Sequence, residues 1–414
     1  MIILVLNCGS TWIKYALVDS SKKGLLAKGV CTQIGGYNSA VECKSANVRE
    51  KPIRYDIEIP DHKEALKTII NLLCDSRNGI INTIQDIDAI GHFVKYGGVL
   101  FKDAVVVTSE VKVSIKSLLG YSPVHNPSNL IGMEACEDLF PDIPSIAVFG
   151  TAFYSDMPDF TSRYALSEEL CEKHQIYRLG LDGIVQQDAE KRAMELIGSS
   201  KKGVQIVICN LGNESSVVAS IDGKCFDWEP IMGSTQCGPI DPAIIPYLMK
   251  RENLAPEDIE HILNKKSGFL GLTREYNLKQ FDFSHQFYPS IEAASGRDLA
   301  VNILCHQASK GIGGLAAAMG GMDALVFTGS IGCSNPVLRS RICDNLCYLG
   351  IKLAEYNNVV IDHEKEISSS ESSIKVFVVP VSEEYAIAKE TEKTIKNNYH
   401  KNGEHVNEHS VSGL

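Results

Sequence analysis

Two stretches decide the fold of this chain: residues 1–19, MIILVLNCGSTWIKYALVD, and residues 204–222, VQIVICNLGNESSVVASID. Each has an apolar run of strand length, a small polar turn around one glycine, and a second run with alternating apolar residues. Gly9 of the first stretch corresponds to Gly212 of the second. The pattern predicts one β-hairpin written twice, and therefore an internally duplicated chain.

The tips of the two predicted hairpins share a chemical character. Each offers backbone N–H groups and Ser or Asn side chains, with little bulk. Such a tip suits phosphate oxygens, because successive backbone N–H groups form a concave anion site. Two tips, one in each half, predict a chain that closes on a nucleotide.

Composition narrows the class of protein. At 414 residues the chain exceeds one ordinary core, so we expect two domains. The formal net charge of −11 argues against nucleic acid as a partner. The sequence has no apolar stretch of the roughly 18–20 residues that span a bilayer, and residues 2–6 are predicted to be a strand rather than a signal peptide. The 13 cysteines include no C-x-x-C pair, which indicates reduced thiols and a cytoplasmic protein.

Strand-like and helix-like segments alternate along the chain, which predicts an α/β fold. The predicted strands are Ile2–Leu6, Ala89–Val94, Ser145–Phe149, Gln205–Cys209, Ala324–Thr328 and Lys375–Val379. The predicted helices are His62–Cys74, Pro127–Leu139, Asp188–Ile197, Pro256–Asn264 and Asp298–Met319. Ligands of such folds bind where strands end, so the polar turns after several strands are candidate ligand contacts.

Several longer motifs identify a family. They are SPVHNPSNLIGMEAC at 122–136, CGPIDPAIIPYLM at 237–249, VFTGSIG at 326–332 and VPVSEEYAIAKET at 379–391. From Met1 to about Thr391 the chain resembles acetate kinases, within the wider group of duplicated ATPases that includes sugar kinases, actin and the heat-shock ATPases. The resemblance implies ATP plus acetate giving ADP plus acetyl phosphate, with Mg²⁺ as a cofactor, in a homodimer.

The resemblance also implies a domain plan. Two ribonuclease-H-like domains are expected, with a cleft between them. The N-terminal domain comprises residues 1–150 and is rejoined by 381–396, and the nucleotide-binding domain comprises 151–380. The polar segment 397–414 is predicted to be a disordered tail from its composition.

The family's catalytic positions carry different residues here. The resemblance implies two arginines, a histidine and an aspartate at the transferred phosphoryl group. The arginine positions read Phe93 and Gln236, the histidine position reads Asp182, and the aspartate position reads Gly150. Phosphoryl transfer needs fixed cations around the equatorial oxygens, so these replacements predict an impaired or inactive kinase.

Other family positions are retained, and they predict residual binding. The predicted nucleotide or phosphate contacts are Asn7, Ser10, Lys14, Asn213, Ser215 and Gly332. The predicted carboxylate pocket comprises His125, Phe93 and Leu181, and Glu383 stands at the Mg²⁺ position. Structural roles explain some of these equally well: Lys14 as an exposed strand lysine, His125 as a turn residue, and Glu383 as a helix-opening carboxylate.

Two alternatives to a binding-only protein stay open. One is an active short-chain or bulkier carboxylate kinase with relocated catalytic groups, in which Lys95 or Arg178 supplies a displaced cation. The other is a partner protein that forms a heterodimer with an active paralogue. A small carboxylate and a nucleotide are the ligands that the first alternative requires.

Overall fold

The structure, a computed structural model, describes residues 1–22, 24–46, 52–75, 80–198, 202–275 and 296–408. The strands are β1 Ile2–Cys8, β2 Trp12–Asp19, β3 Gly24–Thr32, β4 Ala40–Ser45, β5 Ile53–Asp56, β6 Ala89–Val94, β7 Val105–Val106, β8 Ser145–Phe149, β9 Gln205–Asn210, β10 Ser215–Ile221, β11 Lys224–Ile231, β12 Ala324–Thr328, β13 Lys365–Glu366 and β14 Lys375–Val378.

The helices are α1 His62–Cys74, α2 Ser109–Ser117, α3 Asn126–Leu139, α4 Asp159–Ser162, α5 Glu168–His174, α6 Gly183–Ile197, α7 Ile244–Glu252, α8 Pro256–Lys265, α9 Gly268–Thr273, α10 Gly296–Met319, α11 Gly329–Ser334, α12 Pro336–Asp344 and α13 Glu383–Glu408. Short 3₁₀ helices lie at Ile84–Asp86, Leu119–Tyr121, Ala152–Tyr154 and Cys347–Leu349. Within the described residues, no helix combines the length and apolar character needed to cross a bilayer.

The chain divides into two compact units. The first comprises Met1–Ser155, Leu181–Val185 and Ser382–Leu414, and the second comprises Asp156–Gly180 and Gln186–Val381. The sequence-derived plan of 1–150 with 381–396 lacked the short piece Leu181–Val185. That piece belongs to the first unit because its backbone lies against the turn that follows β8.

The first unit is built on an eight-stranded mixed sheet. Its strand order is β5-β4-β3-β2-β1-β6-β8-β7. The first hairpin pairs β1 antiparallel to β2, and β6 and β8 continue parallel to β1 on the other side. The side chains of one sheet face pack with α1 and α3 into a core that includes Leu4, Leu6, Ile13 and Leu66.

The second unit repeats this arrangement with six strands in the order β11-β10-β9-β12-β14-β13. Here β9 and β10 form the antiparallel hairpin, and β12 and β14 run parallel to β9. The buried face of α10 packs on the sheet, with Val217, Leu304 and Ile312 in one core cluster. The predicted α/β fold and the predicted duplication of the hairpin are therefore confirmed.

Most predicted elements agree with the structure to within a few residues. The predicted β6, β8, β12 and α1 have the same bounds as the structure gives. The apolar period is clear in these segments, since strands β6, β8 and β12 are almost entirely buried and α1 buries one face.

The C-terminal helix α13 packs on the first unit. A Cβ on Gly91 of β6 would lie 2.4 Å from the Thr391 hydroxyl oxygen, so only a glycine allows this approach. Ile387 and Ala388 of α13 are fully buried. Helix α13 continues to Glu408, through most of the segment 397–414 for which the composition predicts disorder. Extending an existing helix is easier than nucleating one, and no proline interrupts the segment. Residues 409–414 lie outside the described residues.

The buried carboxyl of Glu190 makes the second unit sensitive to pH. Glu190 on α6 is 1% exposed, and its Oε1 has no hydrogen-bond partner in the described part of the chain. Burial raises its pKa from 4.5 to about 7, although the charge of Lys191 and the Gly223 N–H oppose the change. Because the folded pKa is the higher one, the contribution to stability is complete below the unfolded pKa and is lost as the pH rises through about 7.

We predict that Glu190→Gln removes this dependence. Between about pH 5 and about pH 8, the wild-type free energy of unfolding should fall by about 3 kcal/mol more than that of the variant, because each tenfold change in a proton-binding constant corresponds to about 1.4 kcal/mol. Urea unfolding of both proteins across this range measures the difference. Parallel pH profiles would contradict the assignment.

Candidate functional site

The tip of the first hairpin is compact. The Gly9 N–H donates to the Trp12 carbonyl over 2.8 Å, and His62 Nε2 lies 2.7 Å from the Gly9 carbonyl oxygen. The indole of Trp12 lies directly on the glycine, because a Cβ on Gly9 would be 2.2 Å from Trp12 Cε2. The sequence predicted a hairpin tip with little bulk. Gly9 itself leaves room at the tip, but the Trp12 ring fills that room.

The predicted phosphate contacts of this hairpin lie near that ring. Ser10 is exposed at the tip, and Lys14 is exposed on β2. Lys14 Nζ is 5.2 Å from the centroid of the Trp12 ring, a cation–π distance. Asn7 is the cross-strand partner of Lys14, so the two side chains lie on one face of the sheet.

Helix α13 begins at Glu383, next to Asn7 of the first hairpin. Asn7 Nδ2 donates to Glu383 Oε1 over 3.3 Å. Burial raises the pKa of the Glu383 carboxyl, and the neighbouring Glu384 raises it further, whereas Lys95 and Lys14 lower it. The structure thus places the predicted residues Asn7, Lys14 and Glu383 together, with Lys95 within electrostatic reach.

Lys95 and Asp182 form an ion pair in the first unit. Lys95 Nζ and Asp182 Oδ1 are 2.5 Å apart, with side chains 13% and 21% exposed. The Lys95 N–H also donates to Asn129 Oδ1 of α3, which fixes the backbone beside the pair. In such a half-buried place the attraction is screened less than at the surface, so the two charges largely cancel.

Gly150 allows this ion pair to form. Its N–H donates to the Val94 carbonyl over 2.9 Å, and its carbonyl accepts from the Gly183 N–H over 2.8 Å. A Cβ on Gly150 would be 2.0 Å from the Leu181 carbonyl oxygen and 2.8 Å from that of Lys95. The missing side chain therefore lets residues 181–183 lie against the ends of β6 and β8, and this brings Asp182 to Lys95.

The predicted carboxylate pocket is spread over three elements. Phe93 is buried in β6 opposite Val148, His125 is half-buried just before α3, and Leu181 is 37% exposed before α6. His125 contributes its backbone N–H to the turn that opens α3, donating to the Ser122 carbonyl. Its predicted role as a turn residue matches this geometry.

The second hairpin tip is held by its own hydrogen bonds. Ser215 is buried, and its hydroxyl both accepts from the Gly212 N–H and donates to the Gly212 carbonyl, over 3.1 Å each. The exposed Asn213 accepts from the Ser234 N–H through its carbonyl over 2.8 Å. Gln236 is half-buried, and its carbonyl accepts from the Gly233 N–H in the same loop. Asn213, Ser215 and Gln236 are therefore close neighbours in the second unit.

Gly332, on α11, lies next to the second hairpin. Its N–H donates to the Leu211 carbonyl over 3.2 Å. The fully buried Arg339 donates to the carbonyls of Gly332 and Cys333 over 2.6 and 2.9 Å. Burial lowers the pKa of Arg339 to about 10, and the guanidinium fixes the end of α11 through neutral acceptors.

Arg178 does not supply a displaced cation in this arrangement. Its guanidinium donates to Asp227, to the Trp228 carbonyl and, over 2.9 Å, to Glu229, all on β11 of its own unit. Two carboxylates thus take up its charge. Lys95, the other candidate cation, lies within electrostatic reach of Glu383 in the first unit.

The residues suit a magnesium ion only when a phosphate is bound as well. Among the described residues, no group of three or more His, Cys, Asp or Glu side chains is arranged to hold a metal. Mg²⁺ is commonly held by one or two carboxylates together with substrate phosphates and waters. Glu383 fits that pattern as a single carboxylate, although its raised pKa disfavours the charged form.

Two contacts of the site were not predicted from the sequence. Lys95 and Asp182 were singled out separately, but their pairing was missed, as was the close contact of Trp12 with Gly9. The glycines Gly150 and Gly183 were the available signal for a close backbone approach. An apolar period alone cannot reveal a contact between turns that are distant in the sequence.

The comparisons with known proteins cover nearly the whole chain. The family model described as the Acetokinase family matches residues 2–389. An acetate kinase of Thermoanaerobacterium thermosaccharolyticum is 39% identical over 408 residues, which is 96% of this chain and 99% of the relative.

Solved structures give the same picture. The acetate kinase of Porphyromonas gingivalis has a TM-score of 0.88 and 34% identity, and covers 95% of this chain and 99% of its own. A propionate kinase from Francisella tularensis has a TM-score of 0.84 and 29% identity, with the same coverage.

We predict that Gly150→Ala destabilises the first unit. The added methyl group meets two backbone carbonyls, so the 181–183 segment must move; the free energy of unfolding should fall by about 1–3 kcal/mol, as for overpacked sites. Urea unfolding measures the loss. Gly120→Ala is the matched control, because no atom lies within 4 Å of a Cβ at Gly120. Equal stabilities of the two variants would contradict the close contact.

Proposed function

This chain belongs to the acetokinase family, and we propose that it is an acetate kinase homologue that binds nucleotide or phosphate but transfers a phosphoryl group far more slowly than a working kinase. The observation that carries the proposal is the ion pair of Lys95 with Asp182. Asp182 stands where the family resemblance implies a histidine, and Lys95 lies two residues after Phe93, which stands at an implied arginine position.

The chemistry requires uncompensated positive charge. Transfer from ATP to a carboxylate brings two anions together, and fixed cations must stabilise the charge on the transferred group. A single transition-state arginine contributes about 10³–10⁵ in rate. Phe93 is a buried hydrocarbon at one arginine position, and Gln236 is neutral at the other.

Lys95 does not replace the lost charge while Asp182 is bound to it. A carboxylate 2.5 Å from the ammonium leaves little net positive charge for a phosphate. The backbone geometry supports the same conclusion, because the space in which a residue-150 carboxylate would sit is taken by the carbonyls of Leu181 and Lys95.

Binding is a weaker requirement than catalysis, and several groups support it. Lys14 is exposed, and Ser10 lies exposed at the first hairpin tip. In the second unit, the exposed Asn213 offers its side-chain amide, and Gly332 adds no side-chain bulk. Within each unit these residues are proposed contacts of nucleotide or phosphate, together with Asn7 in the first unit and Ser215 in the second. Glu383 would hold Mg²⁺ once phosphate oxygens complete its ligands. When bound, the metal would neutralise phosphate charge.

A second candidate function is an active carboxylate kinase with relocated groups. The observation that favours it is that Lys95 and Lys14 both act on Glu383, so two ammonium groups lie near one carboxylate. Phe93 and Leu181 would then favour an acid bulkier than acetate. A homodimer, or a heterodimer with an active paralogue, is part of either proposal and is checked by sedimentation.

The deciding experiment traps acyl phosphate with hydroxylamine. The protein is incubated with Mg-ATP and acetate, propionate, butyrate or benzoate, and hydroxamate is measured against time. We expect turnover at least about a thousandfold below the roughly 1–100 per second of kinases. Turnover in that ordinary range with any of the acids would overturn the proposal and establish the second candidate.

Nucleotide binding is the second arm. Calorimetric titration with Mg-ADP on protein shown to be folded should give a measurable dissociation constant, weakened in Lys14→Met. Lys63→Met on α1 is the matched control, because its exposed amine pairs with Asp138 on α3, in the same unit. No heat of binding at any attainable concentration would contradict the binding half of the proposal.

A further inference from the structure

A cavity of about 370 Å³ lies in the first unit, lined by side chains of the sheet and by the start of α13. It extends along the strand order from Asn7 on β1 to Lys44 on β4, and Glu383 and Ile387 of α13 also line it. Only Asn7, Lys14 and Glu383 belong to the candidate nucleotide site. The remaining wall has no role in the function proposed above.

Three lysines converge on this cavity. Lys28 of β3 and Lys44 of β4 are direct cross-strand partners, so their side chains stand side by side on one face of the sheet. Lys14 lies on the same face one strand away, opposite Val30, which puts it diagonally next to Lys28. Like charges directly opposite each other destabilise a sheet, and this arrangement therefore favours a bound anion.

The amines of Lys28 and Lys44 are available to a ligand, and that of Lys14 lies at a cation–π distance of 5.2 Å from the centroid of the Trp12 ring. Within the described residues, none of the three makes an ion pair or a hydrogen bond. The nearby carboxylates are engaged elsewhere: Glu42 pairs with Arg54 at 3.1 Å, and Glu384 accepts from the Ser382 hydroxyl at 2.6 Å. A protein of net charge −11 repels anions in general, so a local group of three lysines is a selective place for one.

Part of the lining is apolar. Val5, Ala16, Val30 and Ile387 provide hydrocarbon between the lysines and α13. The cavity volume lies within the range of about 300–1,000 Å³ typical of small-molecule sites. Such walls fit a ligand with an apolar body attached to a charged head.

We propose that this cavity binds a small organic phosphate monoester. The ammonium groups of Lys14, Lys28 and Lys44 outnumber the carboxylates of Glu383 and Glu384, because Arg54 offsets the charge of Glu42. This local excess of positive charge favours a phosphate monoester, whose charge is about −1.5 to −2. Lysine binds phosphate as a point charge. The phosphate lies on Lys14, Lys28 and Lys44, and the apolar body lies on Val5, Val30 and Ile387.

The test uses hexyl phosphate as the probe and calorimetry as the readout. The double variant Lys28→Ala, Lys44→Ala should bind it about tenfold or more weakly than the wild type, since two charge contacts to the phosphate are removed. Lys250→Ala, Lys265→Ala removes the same charge from exposed positions of the second unit and should bind like the wild type. Added salt should weaken binding of the wild type more than of the Lys28, Lys44 double variant.

Three outcomes would overturn the proposal. One is equal affinity of both double variants for hexyl phosphate. The second is binding of a simpler probe as tightly as hexyl phosphate. Inorganic phosphate bound so tightly would show that the apolar body contributes nothing, and hexanoate bound so tightly would show that the phosphate dianion is not recognised. The third is no binding at all by the folded wild type.

Mg-ADP titration of the same variants separates this site from the candidate nucleotide site. Lys28 and Lys44 are outside that site, so Mg-ADP affinity should stay unchanged in their double variant. If neither the wild type nor the variants bind Mg-ADP while the wild type still binds hexyl phosphate, the proposed function is rejected and this inference stands.

Discussion

The absence of a side chain at Gly150 is the constraint on which the candidate site depends. Because no Cβ is present, the Leu181 carbonyl approaches the end of β8, and the Gly183 N–H bonds to Gly150 itself. This contact delivers Asp182 to Lys95 and attaches Leu181–Val185 to the first unit. This backbone contact determines the charge of the site in two ways. It leaves no room for a carboxylate side chain at position 150, and it places the carboxylate of Asp182 next to Lys95.

The fold was largely predictable from the sequence because local apolar periods determine it. Strands β6, β8 and β12 and helix α1 were predicted with the bounds observed, and the duplicated hairpins at β1–β2 and β9–β10 followed from the repeat. The C-terminal segment 397–414 has no apolar period from which a helix could be predicted. Its polar composition suggested disorder, whereas α13 propagates through it to Glu408 from a buried first half.

The candidate site was predictable only in part. Asn7, Lys14 and Glu383 were expected near one another, and the structure places them so. The pairing of Lys95 with Asp182 and the stacking of Trp12 on Gly9 depend on contacts that no period or spacing encodes. The net charge of a chain likewise does not reveal where charged side chains gather. The net charge of −11 argued against nucleic acid as a partner and gave no sign that Lys14, Lys28 and Lys44 share one face of a sheet.

The most direct measurement is the affinity of Asp182→Asn for Mg-ATP compared with that of the wild type. The asparagine keeps the size of the side chain and removes the charge that neutralises Lys95. If the ion pair is what deprives the site of positive charge, the variant should bind Mg-ATP about tenfold or more tightly, a gain of about 1.4 kcal/mol or more. An unchanged or weaker affinity, in protein as folded as the wild type, would contradict the central claim.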